Sequence, residues 1–168
     1  MKEALVFDKE NNDTGWADAI KKEMDSIVGF NVLKFLPTGA RAPPTSRRIP
    51  VWLMFEMKMD GRKKARLIAG GHVTPTPVDE THASVVKGES VKIVFLLAVI
   101  NGLDLLMGDV KNAFPNAKTA EKVHIVCGPE FSEHEGQVAV TLWALCGLKS
   151  SAANFHHSLA DTLQEIGF

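Results

Sequence analysis

Two extended runs rich in bulky apolar residues, 51–58 and 65–69, flank the dipeptide Asp60-Gly61, and no other pattern in the chain restricts the fold as much. Asp-Gly suits the tight turn that joins antiparallel strands, so the pattern predicts a β-hairpin, ended by Gly70 and Gly71. Charge also collects here. Arg41, Arg47, Arg48, Lys58, Arg62, Lys63, Lys64 and Arg66 stand against only two acids, Glu56 and Asp60, in a chain whose net charge is −1. A local basic patch beside a turn and on its return strand is either a solvated strand face or a surface for phosphates.

The rest of the chain alternates helical and extended signals. Trp16, Ile20, Met24, Ile27 and Val28 recur at helical spacing, with Asp18, Lys21, Lys22, Glu23 and Asp25 on the other face, which predicts a helix over 15–28. A short strand is expected at 32–36, a loop over 37–46, and a second loop at Thr74-Pro75-Thr76-Pro77 as the hinge between two lobes. Residues 90–100 are apolar enough for a helix buried on most sides, stopped by Asn101-Gly102. Residues 103–108 read as a strand that delivers Asp109 to its C-terminal end. Two more strands, 122–127 and 138–145, are joined by a Gly/Pro/acidic loop, and Ala153, Phe155, Leu159, Leu163 and Ile166 mark a helix over 151–165.

The fold class is therefore α+β. With 168 residues, 45% hydrophobic and 23% charged, the chain is one globular domain or a piece of a larger one, and disorder is excluded as the default. The longest apolar run, 93–100, is too short to span a bilayer. The N-terminal residues lack a signal-peptide core, and only Cys127 and Cys146 occur, so an intracellular, disulfide-free protein is expected.

Asp109 is the residue with the most chemical interest. Metal-dependent phosphoryl transfer uses such an acid together with other carboxylates, whereas a structural cap or turn aspartate needs none. His124, Cys127, His134 and Cys146 lack the paired spacing of a zinc site, adjacent His156 and His157 point apart on a helix, and there is neither a Walker A loop nor a dinucleotide glycine fingerprint.

Five segments in order carry a family resemblance: Trp16-Ala17-Asp18-Ala19-Ile20-Lys21-Lys22-Glu23-Met24; Lys58-Met59-Asp60-Gly61 with Lys64-Ala65-Arg66-Leu67-Ile68-Ala69-Gly70-Gly71-His72; Ser84-Val85-Val86 with Glu89-Ser90-Val91; Asp109-Val110-Lys111-Asn112-Ala113-Phe114; and Gly147-Leu148-Lys149-Ser150-Ser151. In that order they resemble the amino-terminal part of the reverse transcriptase of copia-type long-terminal-repeat retrotransposons. The resemblance implies a right-hand polymerase fold, here fingers and a partial palm with antiparallel strands and packed helices. Residues 1–15 would form an N-terminal extension, 16–76 mainly fingers, and 77–168 fingers and palm.

The same resemblance implies RNA-directed DNA polymerisation with Mg²⁺, an RNA template, a DNA primer and deoxynucleoside triphosphates. It makes Asp109 the first catalytic, metal-binding carboxylate, with the Val110 carbonyl as a supporting ligand. It places Lys64 and Arg66 on the triphosphate, Ala113 and Phe114 at the nucleotide, with the Phe114 ring excluding a 2′-hydroxyl, and Gly147, Lys149 and Ser151 near the templating base and the nucleotide. Arg62 and Lys63 would face nucleic acid, as would Arg41, Arg47 and Arg48. Such chains are processed from polyproteins with protease, integrase and ribonuclease H domains, in cytoplasmic virus-like particles or the nucleus. Departures from the family pattern fall at Pro115, Cys146, Ala152 and Phe155, and no Asp-Asp dipeptide occurs, so the expectation is a truncated domain lacking part of the palm and inactive alone. Two alternatives stand beside it: a non-catalytic nucleic-acid-binding module using the basic hairpin, and a decayed remnant without function.

Overall fold

The computed structural model describes residues 1–76 and 81–167. In chain order the elements are α1 (Lys2–Glu10), α2 (Gly15–Gly29), β1 (Leu33–Phe35), β2 (Arg47–Arg48), β3 (Val51–Met57), β4 (Lys63–Ala69), α3 (Gly88–Ile100), β5 (Val123–Val126), β6 (Val138–Thr141) and α4 (Ser151–Glu165). The result is a mixed α+β protein with two sheets.

The Asp60-Gly61 hairpin forms as expected: β3 and β4 pair antiparallel from Val51↔Ala69 to Met57↔Lys63, and Gly61 takes φ +80° at the turn. Along β4 the side chains alternate. Ala65, Leu67 and Ala69 are buried, while Lys64 and Arg66 fall on the opposite face. The second sheet has the order β1-β6-β5-β2. Its β1–β6 and β5–β6 pairs are antiparallel, but Arg47↔Val123 and Arg48↔His124 form a short parallel pair, so the sheets are not antiparallel throughout.

Helix α2 links the sheets. Met24 and Ile27 pack with Leu67 of β4, Val123 and Ile125 of β5 and Ala139 of β6 in one core. Asn31, at φ +52°, ends this helix and turns the chain into β1, a position where asparagine is tolerated after a helix terminus. At the far end of β4, the Ala69 N–H donates to the Cys146 carbonyl at 2.7 Å. A Cβ on Gly71 would lie 2.3 Å from the Gly147 carbonyl oxygen, and one on Gly147, itself at φ +97°, would lie 2.1 Å from the Ala69 carbonyl oxygen. Backbone therefore meets backbone at this junction, which no side chain could enter.

Two expectations are corrected. The helix over 90–100 exists as α3, but Ala98 is its only buried residue, and Val99 and Ile100 are 78% and 69% exposed. A helix apolar on all sides is matched to burial on all sides, and no described element covers it. The strand expected at 103–108 is absent: residues 103–110 are exposed and without regular structure, with Leu106 97% exposed. Extended backbone is held in a sheet by a neighbour's amides and carbonyls, and no described strand lies alongside.

Of the expected 74–77 hinge, Pro77 lies outside the described residues. Helix α1, which the sequence did not signal, packs on α2. No helix among the described residues is long and apolar enough to cross a membrane.

Candidate nucleotide-binding cleft

A cleft of about 270 Å³ opens between the outer face of β4, α2 and two loops, with Glu23, Lys64, Arg66, Asn112, Ala113, Phe114 and Cys146 among its walls. Its floor is fixed from α2. Glu23 accepts the Leu67 N–H at 2.9 Å, which holds β4 against the helix and leaves the neighbouring Lys64 and Arg66 facing out. Lys64 is exposed and makes no ion pair among the described residues. Arg66 is half-buried and touches Glu56 at 3.5 Å. Lys58, 2.5 Å from Glu56, is the main reason that the Glu56 carboxyl is held below its ordinary range, with Arg66 and Lys64 adding to the effect.

The opposite wall is built by the turn after Asp109. Asn116 donates from its side-chain amide to the Asn112 carbonyl at 2.9 Å and to the Lys111 carbonyl at 3.2 Å. A 3₁₀ turn, Phe114–Asn116, begins there with Pro115 near its start, where a missing N–H costs nothing. Phe114 is thereby held half-buried at the cleft. Burial pushes the Cys146 thiol up, Arg66 partly opposing it, so this sulfur is a neutral wall rather than a nucleophile.

Four of the residues singled out from sequence thus converge: Lys64, Arg66, Ala113 and Phe114. Others do not. Asp109 and Val110 are exposed in the irregular 103–110 segment and do not line the cleft. Gly147 serves the backbone junction with Ala69. Lys149 donates from Nζ to the Thr74 carbonyl at 2.6 Å, and buried Ser151 donates from Oγ to the Leu145 carbonyl at 2.6 Å, so both are spent on the local fold. Arg62 pairs with Asp60 beside the turn at 2.7 Å and stays exposed. Lys63 is turned inward, its ammonium held by Asp8 and Asp13, and so is no free contact for phosphate in this conformation. Arg47 borders a second cleft, of about 350 Å³, with Lys122, Glu121 and Ser150.

Sequence reasoning missed Glu23 and Asn116 as organisers of the cleft. Glu23 looked like one more charge on a solvated helix face, and only its partner in a distant strand distinguishes it. Among the described residues no three His, Cys, Asp or Glu side chains come together, so a full ligand set for a two-ion site is not assembled among them.

The cleft carries two cations on one wall and an aromatic ring on the other, a combination whose chemistry suits phosphate oxygens and a flat ring or sugar. A model of the reverse transcriptase (RNA-dependent DNA polymerase) family matches residues 38–168, and the chain belongs to that family. Among curated proteins, the retrovirus-related Pol polyprotein from transposon RE1 of Arabidopsis thaliana is 29% identical over 167 residues, covering 93% of this chain and 11% of that protein. The corresponding polyprotein from transposon RE2 of the same plant is 28% identical over 165 residues, again 93% of this chain and 11% of the relative. The chain therefore spans about one-ninth of the length of these relatives. No solved structure matches it significantly.

Proposed function

We propose that this chain is the nucleotide-gripping part of an RNA-directed DNA polymerase of a copia-type retrotransposon, comprising the fingers and part of the palm. One observation carries the reading: Lys64 and Arg66 of the hairpin and Phe114 of a distant loop meet at a single cleft. Arg66 offers a planar fork and Lys64 a point charge to the triphosphate oxygens. Phe114 packs against the sugar, where a rigid ring leaves a 2′-hydroxyl no space. Template RNA and primer DNA would approach over exposed Arg41, Arg47, Arg48 and Arg62.

Divalent ions, Mg²⁺ by family, supply Lewis-acid stabilisation of the phosphoryl transfer when bound. Asp109 would be one ligand, but the described residues bring no group of three ligating side chains together, so this chain's own share is binding and orientation. Further polypeptide covering α3 and pairing with residues 103–110 would complete the palm, consistent with their exposed apolar side chains.

The test is equilibrium binding to the chain of dTTP and of ribothymidine triphosphate, which differs from it only by the 2′-hydroxyl. Tighter binding of dTTP, weakened by Arg66→Ala and with discrimination lost in Phe114→Ala, is expected. Equal affinity for both nucleotides, or binding indifferent to Arg66, would overturn it. A purely nucleic-acid-binding module is favoured instead if oligonucleotide affinity falls steeply with salt while neither nucleotide binds.

A further inference from the structure

Lys63 begins β4 one residue before Lys64, and the alternation of the strand sends it to the opposite face. Its Nζ lies 2.9 Å from Asp8 Oδ1, is hydrogen-bonded to Asp13, and stands 5.2 Å and 5.4 Å from the ring centroids of Phe7 and Trp16. The Lys63 side chain is only 11% exposed and that of Asp8 only 5%. Phe7 and Asp8 belong to α1, Asp13 to the turn that follows, and Trp16 to the first turn of α2. Trp16 in turn meets Phe55 of β3 edge-on at 5.4 Å.

The remaining oxygen of Asp8 accepts the Trp16 and Ala17 N–H groups at 2.8 and 2.9 Å. Those amides open α2, whose N-cap residue Thr14 makes no side-chain cap bond. One carboxylate thus caps α2 and holds the hairpin's ammonium. Space for the lysine stem is also provided: a Cβ on Gly15 would lie 2.8 Å from Lys63 Cδ. Burying an ammonium is costly unless it is fully paired, and here two carboxylates and two ring faces surround it. The Asp13 contact, more than the Asp8 one, raises the Lys63 pKa against the opposing effect of burial. Helix α1 lies outside the region that the family model matches, which begins at residue 38.

We infer that Lys63 is a positioning residue: through Asp8, Asp13, Phe7 and Trp16 it makes α1 part of the scaffold that sets the stance of the β3–β4 hairpin, and with it the reach of Lys64 and Arg66 over the cleft. The effect on nucleotide rests on the function proposed above; the effect on the hairpin does not. Lys63→Met keeps the stem and removes the charge. Amide hydrogen exchange of β3 and β4 should then quicken by roughly tenfold, as expected for the loss of a coupled contact, while β5 and β6 amides hold their rates, and dTTP affinity should fall several-fold. Lys63→Arg should restore most of both.

Hairpin exchange that quickens in a chain that never binds dTTP sinks the nucleotide reading and keeps the clamp. Hairpin exchange and dTTP affinity both unchanged in Lys63→Met overturn the clamp. Should Lys63→Met fail to fold, Asp13→Asn decides, since Asp13 is half-exposed and removes one partner only: hairpin-selective quickening supports the inference, and uniform or unchanged exchange overturns it.

Discussion

Replacing Gly147 by alanine should damage the junction on which the cleft depends. The backbone there has φ +97°, and the new Cβ would lie 2.1 Å from the Ala69 carbonyl oxygen and 3.1 Å from its carbon. The left-handed conformation costs a residue with a Cβ about 1–2 kcal/mol. Overlap with backbone atoms, which cannot rotate away as a side chain does, adds about 1–3 kcal/mol. Separating the strands of chain weakens the Ala69 N–H to Cys146 carbonyl bond, 2.7 Å long, by about 1 kcal/mol. The total is about 3–6 kcal/mol, a large part of the roughly 5–15 kcal/mol that holds a domain folded.

Gly61→Ala supplies the control, because Gly61 has φ +80° but open space around it, so only the conformational cost of about 1–2 kcal/mol applies. In urea unfolding, with a slope of about 2 kcal/mol per molar, Gly147→Ala should lower the midpoint by about 1.5 M or more and Gly61→Ala by about 0.5–1 M. Equal shifts for the two variants would refute the steric argument.

Other perturbations give separate checks. Thr141 is buried with its Oγ1 lacking a hydrogen-bond partner among the described residues, so Thr141→Val should leave stability unchanged or raise it by about 1 kcal/mol, read from thermal melts; a clear loss would mean the hydroxyl is satisfied. Asp8, Asp13, Glu56 and Asp60 all have carboxyls held below their ordinary range, Asp8 by the Ala17, Trp16 and Lys63 contacts against burial, Asp13 first by Lys63. Their contribution is present above the unfolded values near pH ~4 and is lost as pH falls below them. Lys63 is shifted up, so its contribution is present below about pH 10 and is lost as pH rises further. A melting-temperature profile should therefore fall at both ends, and Lys63→Met should flatten both; a parallel profile would contradict the cage. Leu96→Lys on exposed α3 should change unfolding free energy by no more than about 0.5 kcal/mol and reduce self-association in sedimentation; marked destabilisation would show that α3 is packed.

What could be read from sequence depended on whether the deciding partner was local. Asp60-Gly61 between two apolar runs specified a hairpin because turn and strands are contiguous. Helices α2 and α4 followed from one apolar face each, and β5 from its run, whereas the strand expected over 138–145 forms only as β6, Val138–Thr141. Helix α1 escaped because its order depends on Asp8 capping a helix that follows and on Lys63, far along the chain. The apolar content of 90–100 and 103–108 registers an appetite for burial, not the presence of something to bury against, so α3 formed but stayed exposed and the strand did not form. Within the site, family resemblance brought Lys64, Arg66 and Phe114 to notice. It did not reveal that Lys63, one position earlier, points the other way, although the twofold period of a strand is enough to say so.

The most direct test of the cleft is a footprint. Amide hydrogen exchange across the chain, with and without saturating dTTP and Mg²⁺, should show protection at the Lys64, Arg66 and Leu67 amides of β4, at Phe114 and at Cys146, and Arg66→Ala should remove it. Protection confined to the second cleft around Arg47 and Lys122, or none anywhere, would contradict the account.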